Sequence, residues 1–304
     1  MTTTTDKGTA NGAATAATIA DDAEIAIRGL SLAYDVRRSK KEGGATSLLA
    51  LDDINLDIRR GEFLSIVGPS GCGKSTLLYI LAGLIKKTAG SAKIEGMEVV
   101  APTLHTGIIM QAYALFPWRT VQKNVEFGLE IKKVGKQERR QIAADFLEMV
   151  GLSEFASRYP YELSGGMKQR VAIARALAYD PEVLLMDEPF AAVDEQTRGQ
   201  LHEQLLSIWE KTGKTIVFVT HSIEESIFLS DRVVILTPSP GRVKETIDID
   251  LPRPRPAELK SSAEFAVYRK QVWQLLQNHG ELIEEILLED GNTSLEAVPF
   301  VEGI

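Results

Sequence analysis

Gly68, Gly73, Lys74 and Ser75, in the segment GPSGCGKST at residues 68–76, follow the spacing G-x-x-x-x-G-K-[ST]. Residue types in this order suit one task, which is holding a chain of phosphates. Glycines let successive backbone N–H groups turn inward around an anion, and a helix starting at the loop's end adds the positive pole of its dipole. Pro69, Ser70, Gly71 and Cys72 form the body of the loop, and Thr76 ends it. Lys74 is expected to reach the β- and γ-phosphates of ATP, and the Ser75 hydroxyl to ligate Mg2+. By chance alone such a pattern arises in roughly 1 of 100 chains of this size. Here it also falls between an apolar run at residues 63–67 and a predicted helix bearing Leu77, Leu78, Ile80 and Leu81, the context the motif requires.

A second set of groups lies in VLLMDEP, where Asp187 and Glu188 end an apolar strand. Ligands of open α/β sheets bind at such strand ends. Taken alone, two acids here would read as a solvated pair. Beside a phosphate-binding loop they acquire roles: Asp187 partners Mg2+ directly or through its ligand shell, and Glu188 orients or deprotonates the attacking water. Cys72 reads as a small residue tolerated in the loop. Its place near a helix start and Lys74 raises a second expectation, a thiol that alkylates faster than a free one and is protected by ATP.

The segment LSGGMKQR at residues 163–170 narrows the class. It resembles the signature of ATP-binding-cassette (ABC) ATPases, and other motifs of that family follow in order. Gln111 in GIIMQAYALFPW is similar to the Q-loop glutamine, and Asp194, closing AAVD, to the D-loop aspartate. His221 in VFVTHS is similar to the switch histidine, and Tyr34 to the aromatic residue that stacks on adenine. The resemblance spans about residues 25–276. It implies that His221 senses the γ-phosphate, and that Gln111 contacts Mg2+ or the water and relays the nucleotide state. It also implies a head-to-tail homodimer, each ATP lying between the phosphate loop of one copy and Ser164, Gly165 and Gly166 of the other. The residues agree with this, since Ser164, Gly165 and Gly166 lead into a predicted helix and offer a second set of free N–H donors. Ser222 stands where many relatives carry Asp, and Val193 where Leu is more usual.

Within that family LFPWRTVQKNV, MDEPFAAVDEQTR, THSIEESIFLSDRVVIL and PSPGRV followed by LPRPR resemble the nitrate/sulfonate/taurine-type bacterial importers. The resemblance implies integral-membrane permease subunits as partners and an extracytoplasmic solute-binding protein acting indirectly. It implies a peripheral place on the cytoplasmic face of the inner membrane. Trp118, with Phe116 and Pro117, reads either as a permease contact or as packing inside a helical subdomain. The alternatives are an ABC exporter ATPase, a soluble ABC ATPase acting on DNA or ribosomes, and a regulator that does not turn over.

The elements that must position these groups are legible in outline. The chain has 304 residues, 44% hydrophobic and 25% charged, enough for a sizeable core. A net charge of −8 argues against nucleic acid and against docking on anionic lipid through a basic patch. No run approaches the ~18 apolar residues a spanning helix needs, the first residues lack a signal-peptide pattern, and the single cysteine excludes an internal disulfide. Strands are predicted at residues 25–34, 63–67, 183–186, 216–220 and 233–236, alternating with helices such as 196–211, which predicts an α/β fold. Together with the family resemblance, this implies a P-loop NTPase of ABC type: a mostly parallel core sheet, an antiparallel β subdomain and a helical subdomain at about 121–179. Residues 1–22 are read as a disordered tail, 23–250 as the ATPase domain, 251–280 as a linker and C-terminal helix, and 281–304 as an acidic tail. Ser261 and Glu264 are expected to cap that last helix.

Overall fold

The computed structural model describes residues 23–37, 45–191 and 193–277. The expected tails at 1–22 and 281–304 lie outside them, as does Ala192 in AAVD. Among the described residues, two strands come first, β1 (Ala23–Arg37) and β2 (Ala45–Arg59), antiparallel with Ile27 opposite Leu56. β1 runs further into the charged stretch after Tyr34 than the sequence predicted, because pairing with β2 satisfies backbone groups there whatever the side chains. With β4 (Ala89–Ile94) and β5 (Met97–Glu98) they form an antiparallel sheet ordered β2-β1-β4-β5.

The second sheet contains β3 (Phe63–Val67), β6 (Thr106–Ile109), β7 (Val183–Asp187), β8 (Thr215–Val219), β9 (Arg232–Leu236) and β10 (Val243–Asp248). Its order is β10-β9-β3-β8-β7-β6, all parallel except β10, which closes one edge antiparallel to β9. Every residue of β3, β7 and β8 is buried, as expected for strands covered on both faces. The strand period of two sorts their side chains. Leu64, Ile66, Val183, Leu185, Val217 and Val219 face helix α1 (Lys74–Leu81) and the antiparallel sheet. Phe63, Val67, Leu184, Met186, Ile216 and Phe218 face the opposite core. Each such side chain contributes about 1.5–3 kcal/mol by leaving water, so strand ends carrying polar residues are held on a stiff support.

The opposite core is closed by α6 (Glu195–Thr212), α7 (Ile223–Leu229) and α8 (Ala263–Gln277). Short helices α2 (Val121–Val125) and α3 (Phe127–Ile131), then α4 (Lys136–Met149), build a third core around Val125, Leu129 and Leu147. Helix α5 (Gly165–Ala178) belongs to both: Ile173 and Leu177 pack on the sheet, Val171 and Ala174 on the helical core. It therefore ties the helical part to the sheet.

Two local expectations change. The PRPRP stretch, read as a linker, is bound tightly. Buried Arg255 donates to the carbonyls of Ile227, Phe228 and Ser230 at 3.0, 3.1 and 2.7 Å, at the end of α7 where carbonyls lack helical partners. Arg253 donates to Asp231 and lies 4.2 Å over the Trp209 ring. The side chain entering the start of α8 is Ser262, not Ser261: its hydroxyl accepts from the Phe265 N–H at 3.1 Å, while Ser261 ends a preceding 3-10 turn.

Candidate active site

The loop at residues 68–76 connects β3 to α1 and lines a cavity of about 500 Å3 together with Tyr34, Glu188 and His221. Gly73 takes φ 95°, and a Cβ there would come within 2.6 Å of Leu51 Cδ2 and 3.0 Å of the Ala50 carbonyl, so the turn into α1 demands glycine. Lys74 folds back across the loop, its Nζ donating to the carbonyls of Gly68 and Pro69 at 2.8 and 3.0 Å. These contacts close the loop and hold an ammonium over its mouth. A cavity of this size suits a nucleotide.

Cys72 is fully buried, against Gly68. Burial pushes its thiol up, and the neighbouring Lys74 charge offsets this only in part. Of the two readings of this residue, the structure supports a small packing residue.

Asp187, nearly buried at the end of β7, has both carboxylate oxygens engaged by α1. Ser75 Oγ donates to Oδ1 and Tyr79 Oη to Oδ2, each at 2.8 Å. Burial, the hydrogen bond to Asp187 and its negative charge push the Tyr79 phenol up to about 12, so it stays a donor. A hydroxyl that ligates a cation still has its proton to give, so the Ser75–Asp187 bond is compatible with Mg2+ on Ser75. Tyr79 was not anticipated. The signal was its position four residues after Ser75, on the same helical face.

Glu188 has φ 43°, rare for a residue with a side chain, and its N–H donates to the Val219 carbonyl at 2.9 Å. This strained turn aims the carboxylate into the cavity, where Oε2 lies 3.2 Å from Nδ1 of His221. Leu48, Ala50 and Ser239 also line the cavity and were missed, because nothing in their local sequence marks them.

Other expected residues lie elsewhere. Gln111 is exposed and does not line the cavity. Ser164 and Asp194 cap α5 and α6, accepting from the N–H groups of Met167 and Thr197 at 3.3 and 3.0 Å. The Asp194 carboxyl is held below its ordinary value by the backbone N–H of Thr197. The two helix starts are neighbours, since a Cβ on Gly166 would lie 2.9 Å from Thr197 Cγ2. Ser164, Gly165 and Gly166 do not line the cavity of their own chain. Trp118 is 73% exposed and tilts against Phe116 at 5.7 Å, which removes the reading of a residue packed inside the helical part.

A closed glycine loop over a serine–aspartate pair, with a carboxylate and an imidazole facing across the opening, defines a P-loop nucleotide hydrolase. Comparison with known proteins is more specific. Residues 51–191 match the ABC transporter family model. The chain is 56% identical over 229 residues to the uncharacterized ABC transporter ATP-binding protein MJ0412 of Methanocaldococcus jannaschii, covering 75% of this chain and 85% of that one. It is 45% identical to the nitrate import ATP-binding protein NrtD of Synechocystis sp., covering 77% and 91%. It is 46% identical to the taurine import ATP-binding protein TauB of Rhizobium johnstonii, over the same shares. The dimeric post-hydrolysis structure of the ATP-binding cassette MJ0796, bound to ADP and Pi, superposes with TM-score 0.65 at 34% identity, covering 75% of this chain and 99% of that one. The chain belongs to the ABC transporter family and is an ATP-hydrolysing subunit of it.

Proposed function

We propose that this chain hydrolyses Mg·ATP above residues 68–76 and thereby powers solute import through membrane permease subunits. The facing of Glu188 and His221 at 3.2 Å over the loop carries the reading. Glu188 orients or takes a proton from the attacking water, His221 contacts the γ-phosphate, and Lys74 neutralises the β- and γ-oxygens. Bound Mg2+ would supply charge neutralisation on those oxygens, held by Ser75 with Asp187 behind it; Gln111, outside the cavity here, is kept as a metal contact on the family resemblance alone. Tyr34, 40% exposed on the cavity wall, offers a face for adenine.

The site is completed by a second copy of the chain. Ser164, Gly165 and Gly166 start a helix whose free N–H groups suit an anion but do not face their own cavity, so we place them on the ATP of the partner copy. Two equivalent sites then follow from two-fold symmetry. Asp194, capping the adjacent helix, lies at that same junction.

Among the described residues no helix is long and apolar enough to cross a membrane. We assign the chain to the cytoplasmic face of the membrane, held there by the permease, with exposed Trp118 and neighbouring Phe116 as contact candidates. Import is favoured over the exporter and soluble readings by the names of the nitrate and taurine relatives. Their near-equal identities, 45% and 46%, argue that the solute is chosen by other subunits, a solute-binding protein among them. Nucleic acid is not a proposed partner.

The test is Glu188→Gln. ATP binding should persist while turnover falls by about 100-fold or more, the range for losing a positioned acid–base group. Wild-type turnover would exclude Glu188.

A further inference from the structure

Behind His221, outside the cavity, buried polar side chains from three parts of the chain meet. Thr220, His202 and Glu225 are 1%, 2% and 7% exposed. The Ser222 N–H donates to Thr220 Oγ1 at 3.0 Å, and Thr220 passes its own proton toward Glu225 Oε2 at 2.6 Å. The other oxygen of Glu225 faces His202 Nε2 at 3.2 Å and Arg198 Nε at 3.9 Å. The N–H of Glu225 returns to Ser222 Oγ at 3.3 Å, capping α7. Burial pushes the Glu225 carboxyl up, but hydrogen bonds from His202 and Thr220, together with the electrostatic pull of His202 and Arg198, outweigh it and leave the group below its ordinary value. An ionised carboxylate only accepts, which fixes Thr220 Oγ1 and His202 Nε2 as donors. The His202 ring is held edge-on by Phe190 at 4.9 Å.

The two ends of this network are functional segments. Thr220 and Ser222 flank His221, while His202 and Arg198 lie on α6, the helix that begins at Asp194. Arg198 also donates to the Val193 carbonyl at 2.7 Å. One carboxylate thus joins the backbone carrying the imidazole to the helix carrying the aspartate. The His221 side chain is 67% exposed and hydrogen-bonds Glu188, so its place is set by the backbone on either side. A displacement of ~1 Å in a reacting group can cost about 100-fold.

We infer that Glu225 is a positioning residue for hydrolysis, holding the His221 segment in register with the helix that begins at Asp194. The inference rests on the reading of His221 as the γ-phosphate contact. It acts on the chemical step and not on nucleotide affinity, because no member of the network lines the cavity.

Four variants of the full-length chain, purified with the membrane subunits that accompany it, test this. Thr220→Val keeps the shape and removes the relay; Thr220→Ser keeps the hydroxyl; Glu225→Gln removes the charge; His221→Ala tests the underlying reading. Thr220→Val and Glu225→Gln should each lower kcat about tenfold with KM for ATP within about twofold, the signature of an interaction expressed in the transition state. Thr220→Ser should stay within about twofold of wild type. Wild-type kcat in either Thr220→Val or Glu225→Gln overturns the inference. So does a loss matched by an equal rise in KM, or by a fall in Tm that Thr220→Ser shares, since either marks a merely structural role. Wild-type turnover in His221→Ala removes the underlying reading as well. An inactive His221→Ala beside an active Glu225→Gln removes this inference alone.

Discussion

Tyr79 Oη donates to Oδ2 of Asp187 at 2.8 Å, so the carboxylate ending β7 is braced from the helix that also carries Ser75. With both oxygens engaged, its plane is set before any cation arrives. Tyr79→Phe removes one atom and leaves the packing. Losing a hydrogen bond to a charged group costs about 1.5–3 kcal/mol when the partner stays buried, and part of that should appear in the metal-dependent step. We expect kcat to fall about 3- to 10-fold and the half-saturating Mg2+ concentration to rise, with metal-free ATP binding unchanged. A Mg2+ titration identical to wild type would show that Asp187 does not need the phenol.

The shared-site reading makes a prediction by mixing. Lys74→Ala spoils the phosphate loop and leaves residues 164–166 intact; Ser164→Arg does the reverse. Each variant alone should be inactive. In a mixed dimer one site pairs both spoiled halves, and the other pairs both intact halves. Random mixing at equal amounts should then recover about one quarter of wild-type hydrolysis if the two sites act independently. Were both halves used within one chain, no mixture would recover anything.

How much of this was legible in the sequence follows from how local each feature is. The loop at 68–76 works through backbone N–H groups and glycine conformations, which a contiguous segment specifies, so it was readable. Asp187 and Glu188 were readable because an apolar strand ending in acids is a pattern within seven residues. The left-handed turn at Glu188 was not, since no glycine marks it. The Thr220–Glu225–His202 network was invisible because His202 sits 18 residues before Thr220 and belongs to another element. PRPRP misled for a physical reason. Proline signals an interrupted backbone, but the partners of Arg255 are carbonyls left open at the end of α7, and only packing reveals them.

Cys72 should be a slow thiol. Its side chain is fully buried and its pKa is raised, so at neutral pH the thiolate fraction is below that of a free cysteine. Alkylation by a small maleimide should be slower on the folded chain than on the chain in denaturant. Raising the pH should speed it only beyond the range where a free thiol already reacts fully. Mg·ATP should change the folded rate little. A folded rate above that of free cysteine, abolished by ATP, would restore the reactive-thiol reading.

Glu225 also predicts a pH dependence of stability. Its folded-state pKa lies below the ordinary value of 4.5. The unfolded chain therefore binds more protons in the window between the two values, and stability falls as pH drops through it. Above 4.5 the contribution is fully present; below the folded-state pKa it is gone. Glu225→Gln has no such titration, so its denaturant midpoint should lie below wild type at pH 7 and the two curves should converge as pH falls below about 4.5. Glu24 and Glu62 act in the opposite sense, since burial pushes both carboxyls up. Their stabilising effect on protonation is common to both proteins and cancels in the difference. Parallel midpoint-versus-pH curves for wild type and Glu225→Gln would mean that the carboxylate is not held ionised by Thr220 and His202.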